Sequence, residues 1–446
     1  MKKSSSSRKS LVMLAPLVAA GMILAGCGSD NSEDNENRGA GTGPVPEPTD
    51  PVTVTFSSWV GTQPAMKKLA DNFHALHPNI TIQFQNVTAD NSQQKITTQI
   101  AGGNPPDAAF VDASAVPTFA GRKAIVNLDN YIDRGDIVDP SAYVPAFKDF
   151  VTIDDSMYGL PFEGESTSMF YNKDLFAAAG LEPPTTWDEM KADAAALTNP
   201  DAKQYGIELF ASESAYYWYP FLYQAGGEQL SPDGKSVVFN SEEGKEAAEF
   251  YVGLTDYAPA QYLNSNSYDG RIAFEHGQVG MYMAGNWLAA TLEEDAPEFM
   301  GHWATAPLPK GPAGCATTLA GDALVLFNTD HNDAAWKWIE YLSQPDIIAQ
   351  WTYKGVPGVE GVASGTELPT LSAQLSDPAL FAAKPILTGF AKDMKDCGIP
   401  SGAPNAKYGE VETELNTQLG KAMYGDQTAS EALDNTAEKA KEIFAR

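Results

Sequence analysis

Between Val52 and Val111 strand and helix alternate, and that order leaves few folds open. The run VTVTFSSW at Val52–Trp59 alternates apolar and polar residues as a half-buried strand does. Thr62, Gln63 and Pro64 then start a helix with Met66, Leu69, Ala70 and Phe73 on one face. A second strand follows Pro78 over Ile80–Val87. A second helix is expected over Gln93–Ala101, and Pro105, Pro106 and Asp107 lead into the apolar run Ala108–Val111. Strand, helix, strand, helix, strand predicts a parallel sheet flanked by helices, an α/β arrangement whose ligands meet the carboxyl edge of the strands. Trp59, Asp112 and Ser114 fall at that edge.

One such core does not account for the whole chain. At 446 residues, 43% of them hydrophobic, it exceeds the roughly 250 to 300 residues at which single cores stop growing, so two lobes are expected. Local signals continue through Tyr158–Met190. Ser168–Tyr171 reads as a buried strand and Asp174–Ala179 as a short helix stopped by Gly180. Pro183 and Pro184 force a turn, and Thr186 with Glu189 has the spacing of a capping box. Ser212–Gln224 then packs four tyrosines and a tryptophan into 13 residues. Flat rings that stack on the C–H faces of pyranoses, beside carboxylates that chelate hydroxyl pairs, are the chemistry of carbohydrate sites, so Tyr217 and Trp218 are candidates. On a helix, Trp218 and Leu222 would share one face and Tyr217 would lie on another, so part of the cluster is core. Trp336, Trp338 and Trp351 recur at helical spacing and read as packing. A tail helix over Tyr408–Tyr424 carries the stripe Val411, Leu415, Leu419 and Met423, with Tyr408 at its start as a cleft candidate.

The amino-terminal stretch points outside the cell. Lys2, Lys3, Arg8 and Lys9 precede an apolar run of 14 residues, Leu11–Leu24. That is shorter than the ~18 residues a membrane span needs, and the pattern reads as an export signal. Leu24-Ala25-Gly26-Cys27 looks like a bacterial lipobox, in which Cys27 becomes the lipid-bearing first residue. Gly28–Pro51 holds scarcely a large apolar residue and reads as a flexible tether. Its expected span is on the order of 25 to 30 Å. A net charge of −29, with no polybasic run beyond the amino terminus, argues against nucleic acid. Five scattered histidines offer no metal-ligand cluster, and no cofactor is expected. Once Cys27 is lipidated, Cys315 and Cys397 are the remaining thiols. Both lie in Gly/Pro-rich loops of an exported chain and are expected to pair, although such loops also tolerate free cysteines.

The order lPf…YNKDLF…aGL…PP.TWdE, the block AFEHGQVGMYMAGNW at Ala273–Trp287 and the block APLPKGPAG followed by Thr318–Asn328 resemble the signature of the family 1 extracellular solute-binding proteins, the sugar-capturing partners of ABC importers. The resemblance implies a two-lobed periplasmic-binding-protein-like fold, each lobe a mostly parallel sheet flanked by helices, with the ligand in the interlobe cleft. It implies a monomer that binds an oligosaccharide at the outer face of the membrane and serves a permease. Residues 1–26 would be the signal peptide and 27–51 the tether. Residues 52–126 with 285–345 would form one lobe, and 127–284 with 346–446 the other. On this resemblance Trp59, Asp112 and Ser114 line the cleft, joined by Gln63, and Trp287 stacks on the sugar. Asp322 stands where the family has the second glycine of a pair, so it either accepts from hydroxyls or caps a turn. Glu163, beside Glu165, is expected on the ligand side. A glycosidase built on those two carboxylates is the rival from another class, but no opposed acid and base can be read from their spacing. A polyamine or other cation is the rival ligand on the same fold.

Overall fold

The computed structural model describes residues 38–259, 270–361, 365–403 and 405–446, so the signal peptide and Cys27 lie outside the described residues. The strands, in chain order, are β1 (Val52–Ser58), β2 (Ile80–Asn86), β3 (Ala108–Asp112), β4 (Thr152–Ile153), β5 (Ser156–Met157), β6 (Leu160–Asn172), β7 (Tyr205–Ile207), β8 (Val279–Gly285), β9 (Trp303–Ala306), β10 (Thr317–Leu326), β11 (Leu368–Pro369) and β12 (Gly398–Pro400). Helices Pro64–Leu76 and Ala89–Ala101 connect β1 to β2 and β2 to β3, and β1 pairs in parallel with both. The parallel ladder expected from the opening alternation is therefore present.

The main sheet runs β2-β1-β3-β10-β6-β8-β7, with β9 and β11 beside β6 and β12 beside β10; β4 and β5 form a separate hairpin. β6 is 13 residues long and does two jobs. Leu160 to Ser166 pair with β10, and Thr167 to Tyr171 pair with β8. β10 likewise faces β3 over Asp322–Leu326 and β6 over Leu319–Leu324. These two strands tie the lobes together.

Alternation along the shared strands sorts the interior into two cores. Phe170, Tyr282 and Ala284 join the cluster that contains Phe56, Phe73, Phe110, Trp336, Trp338 and Trp351. Met169, Met281 and Met283 face the other cluster, with Trp218, Phe221, Tyr251, Leu415 and Leu433. The three tryptophans expected as packing are 0–1% exposed. All four residues of the Val411 stripe are buried.

Three expectations need correction. The lobe boundaries drawn at 126 and 345 do not separate the cores: Leu128, Tyr131, Phe150 and Phe162 beyond the first, and Ile347 and Trp351 beyond the second, all pack into the first core. The tether expected over 27–51 is docked from residue 38 onward. The Arg38 guanidinium donates to Thr329 O at 2.5 Å and Asn332 Oδ1 at 2.7 Å. Val45 is buried, and Glu47 lies 2.9 Å from both Lys337 and His77. In the capping box, Thr186 Oγ1 does accept from Glu189 N, but the Glu189 carboxylate turns to Thr185, accepting from its N at 2.7 Å and its Oγ1 at 2.6 Å. Cys315 and Cys397 are joined by a disulfide, Cα–Cα 5.4 Å, immediately ahead of the parallel pairing Thr317↔Gly398.

Candidate functional site

A cavity of about 330 Å³ opens at the carboxyl edge of β1 and β3, lined by Trp59, Ser92, Gln93, Asp112, Ser114, Glu165 and Asp322 among others. Four of the expected residues, Trp59, Asp112, Ser114 and Asp322, are thus brought together. Trp59 follows β1 and meets Phe110 edge to face, ring centroids 4.6 Å apart, which holds the indole at the cavity wall. Asp112 closes β3, and its Oδ1 accepts from Ser114 N at 2.8 Å, starting the helical turn that continues into Val116–Gly121. Asp322 stands opposite Asp112 on β3 and opposite Glu163 on β6. The neighbouring Gly321 permits this: a Cβ there would lie 2.5 Å from Glu163 O. The close backbone approach is therefore carried by the first glycine of the family's pair, and Asp322 points a carboxyl into the cleft.

The other expected residues divide. Glu163 is buried below the cavity, not in its lining. Trp351 Nε1–H donates to it, and Asp322 is within hydrogen-bonding reach. Glu165, two residues on, lines the cavity in its stead. Trp287 is half-buried, with its ring so close over Gly285 that a Cβ there would sit 2.6 Å from the indole and 3.1 Å from Glu165 Oε2, so the ring stands beside this carboxyl. Gln63 starts its helix but does not line the cavity; its Oε1 is buried without a hydrogen-bond partner. Tyr217, Trp218 and Tyr408 are corrections, because all three belong to the second core. Tyr217 stacks on Phe210 at 5.2 Å, Trp218 is fully buried, and Tyr408 OH meets Tyr219 OH at 3.1 Å. The helix Ser214–Gln224 is apolar nearly all round, so it buries both faces. Of its rings it is Tyr216 that reaches the carboxyls: its OH lies 2.8 Å from Thr167 Oγ1, and burial and then the Glu165 charge push its hydroxyl pKa upward.

Ser92 and Gln93 were not singled out by sequence reasoning, nor was Glu412, which faces Asp112 from the helix Tyr408–Met423. Small polar residues on amphipathic helices give no distinguishing pattern. The carboxyls titrate high. Burial pushes Glu165 up to about 8, with Asp112 and Glu163 adding to it. Glu163 rises to about 7 through burial, against the hydrogen bonds from Trp351 and Asp322. Asp322 is held well above its ordinary value by burial and then by Glu163, Glu165 and Asp112. Glu367 is raised likewise, and Asn286 Nδ2 donates to it at 2.8 Å. Oxygens so arranged accept from, or when protonated donate to, ligand hydroxyls. Among the described residues no group of three or more His, Cys, Asp or Glu side chains is arranged to hold a metal ion. A larger cavity of about 620 Å³ lies between Lys235–Asn240 and Asp434–Ala445 and contains none of the expected residues.

Over residues 57–348 the chain matches the family described as bacterial extracellular solute-binding protein. A Brucella abortus relative, named only as a binding protein, is 30% identical over 386 residues, covering 81% of this chain and 89% of that protein. The Listeria monocytogenes ABC substrate-binding protein in complex with cycloalternan superposes with a TM-score of 0.78 at 22% identity, over 89% of this chain and 100% of that one. The cyclic alpha-maltosyl-1,6-maltose binding protein from Arthrobacter globiformis does so with a TM-score of 0.70 at 26% identity, over 88% and 99%.

Proposed function

The chain belongs to the bacterial extracellular solute-binding proteins, and from that membership we propose that it captures a carbohydrate between its lobes and hands it to the permease of an ABC importer. The observation that carries this reading is the cavity in which the Trp59 ring stands with Asp112, Ser114, Glu165 and Asp322. A flat apolar face beside several carboxyls matches the two-sided chemistry of a sugar, C–H on its faces and hydroxyls on its rim. At about 330 Å³ this cavity is at the small end for a ligand site. Trp287, beside Glu165, offers a second ring for a further unit, which favours an oligosaccharide. The Arthrobacter relative is named for binding one.

The ligand works by touching both lobes. Contacts to the carboxyl edge of β1 and β3 on one side, and to Tyr216 and Glu412 on the other, favour the closed arrangement, and the permease reads that shape. The protein binds without turnover. It acts as a monomer on the outer face of the cytoplasmic membrane, held by acyl chains on Cys27. Calorimetry against mono- to tetrasaccharides and linear polyamines tests the reading. A saccharide bound with unchanged composition after incubation supports it. Binding of polyamines alone, or accumulation of cleaved sugars, refutes it.

A further inference from the structure

Asp112, Asp322 and Glu163 occupy one row across β3, β10 and β6, each opposite the next. Like charges directly opposite one another weaken strand pairing, yet Glu163 and Asp322 lie within hydrogen-bonding reach of each other. Ionised carboxylates only accept hydrogen bonds, so this contact requires a proton on one of the two. Trp351 decides which. Its Nε1–H donates to Glu163 Oε2, and an ionised carboxylate accepts such a bond more strongly than a neutral acid does, so the proton is favoured on Asp322, which donates it.

The surroundings keep that proton in place. Glu163 and Asp322 are 5% and 8% exposed. Glu165 bears on the pair from β6, Asp112 from β3 and Glu367 from the residue before β11, while Glu412 faces Asp112 from the helix Tyr408–Met423. The charges that act most strongly on Glu165, Asp322 and Glu367 are all carboxyls. The position is also mechanical. β6 and β10 are the strands that serve both lobes, and their register shifts between Asp322 and Ala323, at this pair.

We propose that Glu163 and Asp322 share a single proton, and that through it Glu163 acts as a positioning residue, fixing the Asp322 carboxyl at the cleft and latching β6 to β10 where they pass between the lobes. The latch makes the protein sensitive to pH. Because the folded pair keeps its proton to higher pH than the unfolded chain does, the stability it lends is complete below about pH 4 and is lost as the pH rises through the folded value of Asp322, which burial and the neighbouring carboxyls hold well above the ordinary range. Above that, two buried like charges face each other across the joining strands.

Thermal unfolding of the full-length protein in detergent, from about pH 5 to about pH 9, tests this with Glu163→Gln, Asp322→Asn and the double variant. Each single amide supplies a fixed N–H in place of the shared proton. The wild-type midpoint should fall by several degrees between the acid and alkaline ends. Each single replacement should remove the same part of that fall, and the double variant no more than either. Parallel loss at every pH, as from mere damage to packing, or additive effects of the two single variants, would overturn the proposal. If Glu163→Gln does not fold, infrared spectra near pH 6 decide: the protonated-carboxyl band of the wild type must weaken in Asp322→Asn, and an unchanged band refutes the shared proton.

Discussion

The Trp287 indole lies over Gly285 with no room for a methyl group between them: a Cβ at Gly285 would stand 2.6 Å from the ring. That contact fixes the ring beside Glu165 without burying it. Trp287→Ala should therefore weaken saccharide binding by on the order of 1 to 3 kcal/mol and leave the melting temperature nearly unchanged. Trp336→Ala is the control. Its ring is 1% exposed and stacks on Tyr131 at 5.1 Å, so its loss should cost roughly 3 to 5 kcal/mol of stability. Calorimetry and thermal melts of the two variants should separate in opposite directions, and equal affinity of Trp287→Ala and wild type removes the ring from the site.

The Cys315–Cys397 disulfide closes a loop across 82 residues, ahead of the parallel pair β10 and β12. The chain-entropy account gives such a cross-link about 4 kcal/mol. Reduction, or Cys315→Ser, should lower the denaturant midpoint accordingly. Titration of the denatured protein without reductant should find neither of these two thiols free, and reactive Cys315 and Cys397 in the unreduced protein would refute the bridge.

Much of this is legible in the chain because its signals are local. The alternation from Val52 to Val111 and the Gly180 stop in the left-handed conformation each depend on residues close in sequence. Trp59, Asp112 and Ser114 follow from them, because strand ends define the ligand edge. What is hidden depends on distant partners. Helical spacing separates Tyr217 from Trp218 but cannot reveal that both faces of Ser214–Gln224 are covered, nor that Tyr216 meets Thr167 from 49 residues away. Glu163 and Glu165 look equivalent until Trp351, 188 residues on, claims the first. The Gly/Pro-rich composition of residues 38–51 argues for disorder, but Arg38 finds its acceptors 291 and 294 residues away.

That docked strap is the basis of a further expectation. Arg38→Ala removes two hydrogen bonds to the Thr329–Asn332 turn, and Glu47→Ala removes a half-exposed pair with Lys337. Together they should lower global stability by only about 1 to 2 kcal/mol, because exposed ion pairs contribute little and such hydrogen bonds about 1 kcal/mol each. Release should be local. Hydrogen exchange over residues 38–51 should accelerate severalfold while the strands of the main sheet stay protected, and uniform acceleration throughout would mean the strap is integral to the fold.

Glu412 supplies a separate pH test on the other side of the cleft. Burial, with the Asp112 charge added, pushes its carboxyl up to about 8, against a hydrogen bond from Tyr219. Unfolded, it returns to about 4.3. Between those values the folded state holds a proton that the unfolded chain has released, so the stability Glu412 lends is present below about pH 4 and is lost as the pH climbs to about 8. Glu412→Gln, which keeps the size and is neutral at every pH, should match the wild type near pH 4 and be the more stable protein near pH 9. A ligand that donates hydroxyls to Glu412 should narrow this difference, since it offsets the cost of the buried charge. Melts of the two proteins across that range, with and without saccharide, check both statements; an Glu412→Gln variant less stable than wild type at alkaline pH would show that the carboxyl is already ionised and satisfied in the folded protein.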